Sequence, residues 1–275
     1  MPELPEITVI GRQMAKTICG LEVAGAQIRQ PKILNVPPAH FQKRIRGCKI
    51  ARVDLRGKWI FLGLQPNENL LLNLGMGGDL VHFGPDDELP DKYQFKLDFT
   101  DGTGFTIRFY WFGYVHLVSS AELSKHKLTA DLGISPLDRA FTRPCFDDLL
   151  DKKKRSGVKS FLMDQKSVAG IGNVYVQDIL FGARLHPNRG IESLLARERT
   201  ALYDSIRKVL RVSIGKRGLA YEVDFFGRKG RYSADDMAVG YKDGKPCPVC
   251  KTLIVKIKTG STSTYICPKC QRPGG

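Results

Sequence analysis

The stretch CPVCKTLIVKIKTGSTSTYICPKCQ, Cys247–Gln271, carries two CxxC pairs, Cys247 with Cys250 and Cys267 with Cys270. Each CxxC offers two thiolates from one tight turn, so two such turns complete a tetrahedral sulfur shell around a zinc ion. The residues between the pairs, LIVKIKTGSTSTYI, predict a β-hairpin turning at TGST. A redox site would place a single CxxC in an α/β setting, and paired disulfides are the other competing reading. The spacing favours one structural Zn2+. Four protein ligands leave no open coordination position, so the metal is expected to stabilise the fold and to carry no chemistry. Cys19, Cys48 and Cys145 lie apart from these four and are expected to be small buried hydrophobes.

Upstream of the ribbon, Arg217–Gly244 is rich in Gly, Arg, Lys and Asp with little periodicity, which predicts a mobile loop. Before it the pattern is helical. Helices are expected near Phe146–Lys152, Val158–Asp164 and Val174–Leu185, and a long one from Glu192 to about Ile214. The long one carries Leu194, Leu195, Leu202, Ile206, Val209 and Leu210 on one stripe. Between the second and third helices lies AGIGN, Ala169–Asn173. It lacks the third glycine and the preceding strand of a dinucleotide fingerprint, and it reads instead as the turn of a helix–two-turn–helix. Gly170 and Gly172 would let the backbone approach a phosphate closely. GISPLDRAFTRP, Gly133–Pro144, reads as an interdomain linker.

The first half opens with MPELPE. Ile7, Ile10, Met14 and Ile18 recur at helical spacing, and Pro5 is tolerated in a first helical turn, so a helix is expected over Glu3–Cys19. From Leu21 to Leu117 the period shortens to two. LEVAGAQI, KIARVDLR, KWIFLGL, ENLLLNL, YQFKLDF and FTIRFYWFGYVHL read as strands of an antiparallel sandwich or barrel. DGTG, Asp101–Gly104, is a hairpin turn. The expected architecture is α+β and multidomain: a β-sandwich domain over 1–132, a linker over 133–145, a helix–two-turn–helix domain with its loop over 146–240, and a zinc ribbon over 241–275.

The chain has 275 residues, with 43 Lys and Arg against 28 Asp and Glu, a formal charge of +15. Such an excess attracts polyanions, nucleic acid above all. The KKKR run, Lys152–Arg155, reads as a solvated face adding diffuse attraction. No apolar run reaches membrane-spanning length and the first thirty residues lack a signal-peptide core, so a cytoplasmic protein is expected.

Pro2 raises a chemical question. If Met1 is removed, Pro2 exposes a secondary amine. An α-amino group titrates at about 7.7–8, far below lysine, so a usable fraction is an unprotonated nucleophile at neutral pH. Its attack on a sugar C1′ would give an iminium, an electron sink for loss of a base and for elimination of the phosphates. Glu3 can protonate the ring oxygen or shuttle a proton. The competing reading is an ordinary helix start with a well-placed glutamate.

PELPE at Pro2–Glu6, LMDQKSVAGIGNVYVQDILFGARLHP at Leu162–Pro187 and the ribbon ending in CPKCQ occur here in one order along one chain. Weaker matches are RGKWI around Lys58 and NLGMGG around Met76. Together they resemble the formamidopyrimidine-DNA glycosylase and endonuclease VIII family of base-excision repair enzymes, over nearly the whole length. The resemblance implies a monomeric bifunctional DNA glycosylase and apurinic/apyrimidinic lyase acting on oxidised bases in damaged duplex DNA. Pro2 would be the nucleophile, Glu3 the proton donor and Lys58 a catalytic or phosphate-contacting group. Asn173, with the Gly170 turn, would hold the phosphate beside the lesion, and Lys159 would be directed at DNA.

The resemblance further implies that Met76 and Phe112 fill the gap left by a flipped base. Tyr110 stands where many members have an arginine; it can stack but cannot read the orphaned base through a charged fork. Thr262 stands where the family usually has a phosphate-gripping arginine, with Lys256 and Lys258 as the nearest charges. These departures leave room for a second reading, a diverged and catalytically weak binder of damaged or branched DNA.

Overall fold

The computed structural model describes residues 2–273. They form two compact units, one of residues 2–131 with 216–231 and the other of residues 132–215 with 232–273. This grouping corrects the expected domain division at one place. Residues 216–231 pack with the β domain and not with the helices, because Phe225, wholly buried, joins the apolar core of the sandwich.

The first unit begins with α1 (Leu4–Thr17), then β1 (Val23–Ile28), α2 (Pro38–Ile45), β2 (Lys49–Arg56), β3 (Trp59–Gln65), β4 (Glu68–Asn73), β5 (Asp79–Phe83), β6 (Phe95–Phe99), β7 (Gly104–Arg108) and β8 (Tyr114–Ser119). The strands make two four-stranded antiparallel sheets, ordered β1-β6-β7-β5 and β2-β3-β4-β8. Period-two patterning sets the faces. In β6, Phe95, Leu97 and Phe99 point inward, while Lys96 and Asp98 on the other face pair at 2.8 Å. The apolar stripe of α1 (Ile7, Ile10, Met14) closes the core with Ile60, Leu62, Leu70 and Leu72. Burying one such side chain contributes about 1.5–3 kcal/mol, and this stripe anchors the chain's first turn.

Three local readings change. The segment PAHFQKRI is a helix, α2, its prolines being tolerated at the helix start and its Phe41 and Ile45 one turn apart and buried. FTIRFYWFGYVHL is two strands with an excursion at residues 109–113. Cys48 is buried as expected, but Cys19 is exposed in the turn after α1 and Cys145 half-exposed on the first turn of its helix.

The second unit holds α3 (Arg143–Lys152), α4 (Val158–Met163), α5 (Tyr175–Gly182), α6 (Ala196–Gly215), β9 (Val255–Thr259) and β10 (Thr262–Ile266). The α3 helix starts earlier than its periodicity suggests, because Thr142 caps it and a proline occupies its first turn. The α6 helix buries Leu202, Ile206 and Leu210, while Leu194 and Leu195 precede it. Gly182 permits close packing of α5 on α6: a Cβ there would lie 2.3 Å from Ser205 Oγ. Two buried amides fasten the ribbon to the helices. Gln177 on α5 donates to the Asn173 carbonyl at 2.8 Å and accepts from the Tyr265 N–H at 2.8 Å. Gln271 accepts from the Cys267 N–H at 3.0 Å and donates to the Leu185 carbonyl at 3.0 Å.

Candidate active site and nucleic-acid interface

In the first unit the chain enters α1 through Pro2 and Glu3, both buried. Glu6, one turn on, accepts from the Glu3 N–H at 2.9 Å through Oε2 and from the Leu219 N–H at 3.0 Å through Oε1. One carboxylate thus holds both the start of the helix and the 216–231 segment. Gly218, at φ +80, is needed for this approach, since a Cβ there would stand 2.8 Å from Glu6 Oε1. Removal of Met1, on which nucleophilic Pro2 depends, lies outside the described residues.

Lys58 is not on a strand. It is the second residue of a two-residue hairpin turn between β2 and β3, with Gly57 at φ +56 supplying the left-handed first position that such turns require. The turn aims the lysine along the end of the sheet toward the N-terminal acids. Burial pushes the Lys58 ammonium below the usual lysine range, and the charges of Glu3 and Glu6 hold it partly up. Glu3, Glu6 and Lys58 are therefore one electrostatic neighbourhood, with Pro2 next to Glu3 in the chain.

The Asn73 side chain joins that turn to Gly75, the residue before Met76. Asn73 donates to the Lys58 carbonyl at 3.2 Å and accepts from the Gly75 N–H at 3.0 Å. Met76 is 43% exposed, and the 109–113 excursion presents Tyr110, Trp111 and Phe112 at 52%, 79% and 49%. Large apolar side chains this exposed form a patch of the kind that marks an interaction surface. Trp111, the most exposed, was not singled out from sequence, although an aromatic triplet between two strands was the available signal. Tyr110 donates to Asp79 at 2.9 Å, which raises its pKa, and the Arg108 guanidinium lies 4.5 Å from its ring centre. A guanidinium is thus stacked on the ring at position 110.

In the second unit the four cysteines of the ribbon come together. Their sulfurs lie within 4.8 Å of one another, with Cys250–Cys267 at 3.4 Å, Cys250–Cys270 at 3.5 Å and Cys247–Cys270 at 3.9 Å. A tetrahedral zinc with Zn–S of about 2.3 Å has sulfur–sulfur edges of about 3.8 Å, so the residues fit the ion. Among themselves the thiols oppose joint ionisation: burial and its neighbours push Cys270 up to about 12, while hydrogen bonds from Thr252 pull Cys250 down to about 6. A dication reverses that opposition, and the site is a structural zinc site.

The helix–two-turn–helix places Asn173 just before α5. Its Nδ2 donates to the Ser263 carbonyl at a long 3.4 Å, and its Oδ1 is buried without a protein partner among the described residues. The Gly170 expectation changes. Gly170 does adopt φ +111, but its N–H donates to Gln165 Oε1 at 2.8 Å and is committed to the turn. Lys159 is buried, 4% exposed, and donates to the hydroxyls of Thr259, Thr262 and Thr264 at 2.7, 2.7 and 2.6 Å. It does not extend outward as a direct DNA contact would.

A helix–two-turn–helix followed by a four-cysteine ribbon defines a class of DNA repair protein, and comparison with known proteins narrows it. Residues 1–110 match the formamidopyrimidine-DNA glycosylase N-terminal domain, 132–223 the formamidopyrimidine-DNA glycosylase H2TH domain, and 244–273 the zinc finger found in FPG and IleRS. The formamidopyrimidine-DNA glycosylase of Pelotomaculum thermopropionicum is 34% identical over 278 residues, covering 99% of each chain. The Lactococcus lactis Fpg in complex with an abasic site containing DNA superposes with a TM-score of 0.88 at 26% identity, over 98% of this chain and 99% of that one. The same protein in complex with a FAPY-dG containing DNA gives 0.87 at 26%, over 98% and 100%. The chain belongs to the formamidopyrimidine-DNA glycosylase family.

Proposed function

We propose that this protein excises oxidised bases, ring-opened purines among them, from duplex DNA and cleaves the resulting abasic site, acting as a cytoplasmic monomer. Among the described residues no helix is long and apolar enough to cross a membrane. The observation that carries the reading is the buried Pro2–Glu3 start, shared with the lysine turn at Lys58, in a chain of this family.

The freed Pro2 nitrogen attacks C1′ of the damaged nucleotide. The N–C1′ bond forms, the glycosidic bond breaks, and the base departs with a proton. Glu3 supplies the proton that opens the deoxyribose ring, leaving an iminium at C1′. That cation acidifies C2′, so the 3′ phosphate and then the 5′ phosphate leave by elimination, and water releases Pro2. A lysine whose proton is loosened by burial is suited to phosphate contact and to proton exchange at this centre. Met76, Trp111 and Phe112 occupy the vacated stack, Tyr110 with Arg108 faces the orphaned base, and Asn173 holds the neighbouring phosphate.

The test is borohydride trapping on a duplex carrying a formamidopyrimidine lesion, using protein whose intact mass verifies loss of Met1. A covalent adduct is expected. Its absence, with binding preserved, would instead favour the catalytically weak binder.

A further inference from the structure

The threonine cluster around Lys159 is a charge held beneath the surface of the ribbon hairpin. An ammonium has three N–H donors, and here each meets a different hydroxyl, Thr259, Thr262 and Thr264. Among the described residues no carboxylate pairs with Lys159, and burial alone lowers its pKa, to about 8. A buried cation surrounded only by neutral oxygens is costly unless an anion outside completes it. Thr259 and Thr264 are themselves buried, at 8% and 0% exposed, and bond to each other at 2.5 Å. Thr262 is the half-exposed member. Its oxygen is taken by the ammonium, while its own proton goes to the Thr259 carbonyl at a long 3.3 Å.

Immediately beside it, Asn173 Nδ2 is held by the Ser263 carbonyl at 3.4 Å, equally long. Two weakly committed donors, one on Thr262 and one bonded to the carbonyl of its neighbour Ser263, backed by an uncompensated ammonium, suit a phosphate oxygen, which forms shorter and stronger bonds. We propose that Lys159 acts as a positioning residue through Thr262, polarising its hydroxyl so that Thr262 donates a charge-assisted hydrogen bond to a DNA phosphate shared with Asn173. This replaces the arginine expected at position 262 by a two-residue relay. The proposal rests on the DNA-binding reading above, but not on the Pro2 chemistry.

The experiment uses the full-length zinc-loaded protein and a fluorescent duplex containing a tetrahydrofuran abasic-site analogue, with binding followed by anisotropy across a salt series. Thr262→Val and Lys159→Met are each expected to weaken binding by about tenfold, and the double variant by about tenfold as well, because one path is cut twice. Thr262→Ser is expected to recover most of the loss. Lys159→Met should lower the slope of log Kd against log salt by up to about 0.9, a change that a purely structural lysine would not produce. The idea is overturned if Thr262→Val binds like the wild type, or if the two losses multiply to about a hundredfold. Should Lys159→Met fail to fold, the contrast between Thr262→Val and Thr262→Ser, at equal zinc content, decides alone. A wild type that binds but gives no borohydride adduct rejects the nucleophile and leaves the relay standing; one that binds no duplex rejects both.

Discussion

Gly75 lies directly against the Phe112 carbonyl: a Cβ at Gly75, whose φ is +58, would stand 1.5 Å from that oxygen. The loop that presents Met76 and the loop that presents Tyr110, Trp111 and Phe112 are therefore seated on each other's backbone, with no side chain between them. Gly113 repeats the demand from the other side, where a Cβ would fall 2.0 Å from the Phe109 ring. The four exposed side chains, Met76, Tyr110, Trp111 and Phe112, are thus carried on two loops seated against each other.

Gly75→Ala tests that seating. Positive φ and a backbone clash together are expected to cost about 2–4 kcal/mol, read as a lower urea midpoint. Met76→Ala, on the same loop but exposed, is expected to stay within about 0.5 kcal/mol of wild type while losing affinity for lesion-bearing duplex. Equal stability of the two variants would show that the loops are not seated on one another.

Glu6 makes a second joint, between the Glu3 and Leu219 amides. In Glu6→Gln, one of those N–H groups faces an NH2 group, and a lost charged hydrogen bond of about 1.5–3 kcal/mol frees the segment. Trypsin should then cut at Arg217, Arg228 or Lys229 about ten times faster, with cleavage mapped by mass spectrometry. Unchanged cleavage would place the anchor elsewhere, for instance at Asp224, which Gln13 holds at 2.9 Å.

The pH dependence of stability follows from Lys159. Its folded pKa of about 8 lies below the ordinary 10.5. Between those values the unfolded chain binds a proton that the folded chain does not, so stability rises with pH across that window. Urea titrations of wild type and Lys159→Met at pH 7.5 and 10 should show the wild type gaining relative to the variant. A loss over the same range would mean that the ammonium is stabilised in the fold.

Zinc removal should separate the units. A strong chelator is expected to release one zinc per chain and to abolish duplex binding, since the ribbon carries Thr262 and is clamped by Gln177 and Gln271. Both tryptophans, Trp59 and Trp111, lie in the other unit. Their fluorescence spectrum should therefore persist. A tryptophan shift concurrent with zinc loss would argue that the two units unfold together.

How far this was readable in advance depended on the range of the interaction. The α1 stripe, the ribbon hairpin and the cysteine spacing are local, and they stand as the periodicity and spacing suggest. So is the Gln165–Gly170 bond, five residues apart, which could have been foreseen from a polar residue before a glycine turn. Lys58 was misplaced by one position because KWIFLGL reads as a strand from its first residue, whereas Gly57 and Lys58 form the turn that joins it to KIARVDLR. The burial of Lys159 was not legible: helix period puts it on a face, but its three partners lie about a hundred residues downstream. Likewise α2 was hidden by its own Pro37–Pro38 start, which resembles a breaker until the helix behind it is seen.

The excursion from Lys216 to Arg231 is closed at its neck, where the Arg231 N–H donates to the Lys216 carbonyl at 2.7 Å. Chain leaves α6 and re-enters its own unit almost where it departed, and there Asp178 receives it, accepting from the amides of Ala238, Val239 and Gly240 at 2.9, 2.9 and 3.0 Å. Any exchange of the segment between those ends has to keep this neck, the buried Phe225 and the Leu219 amide that Glu6 holds.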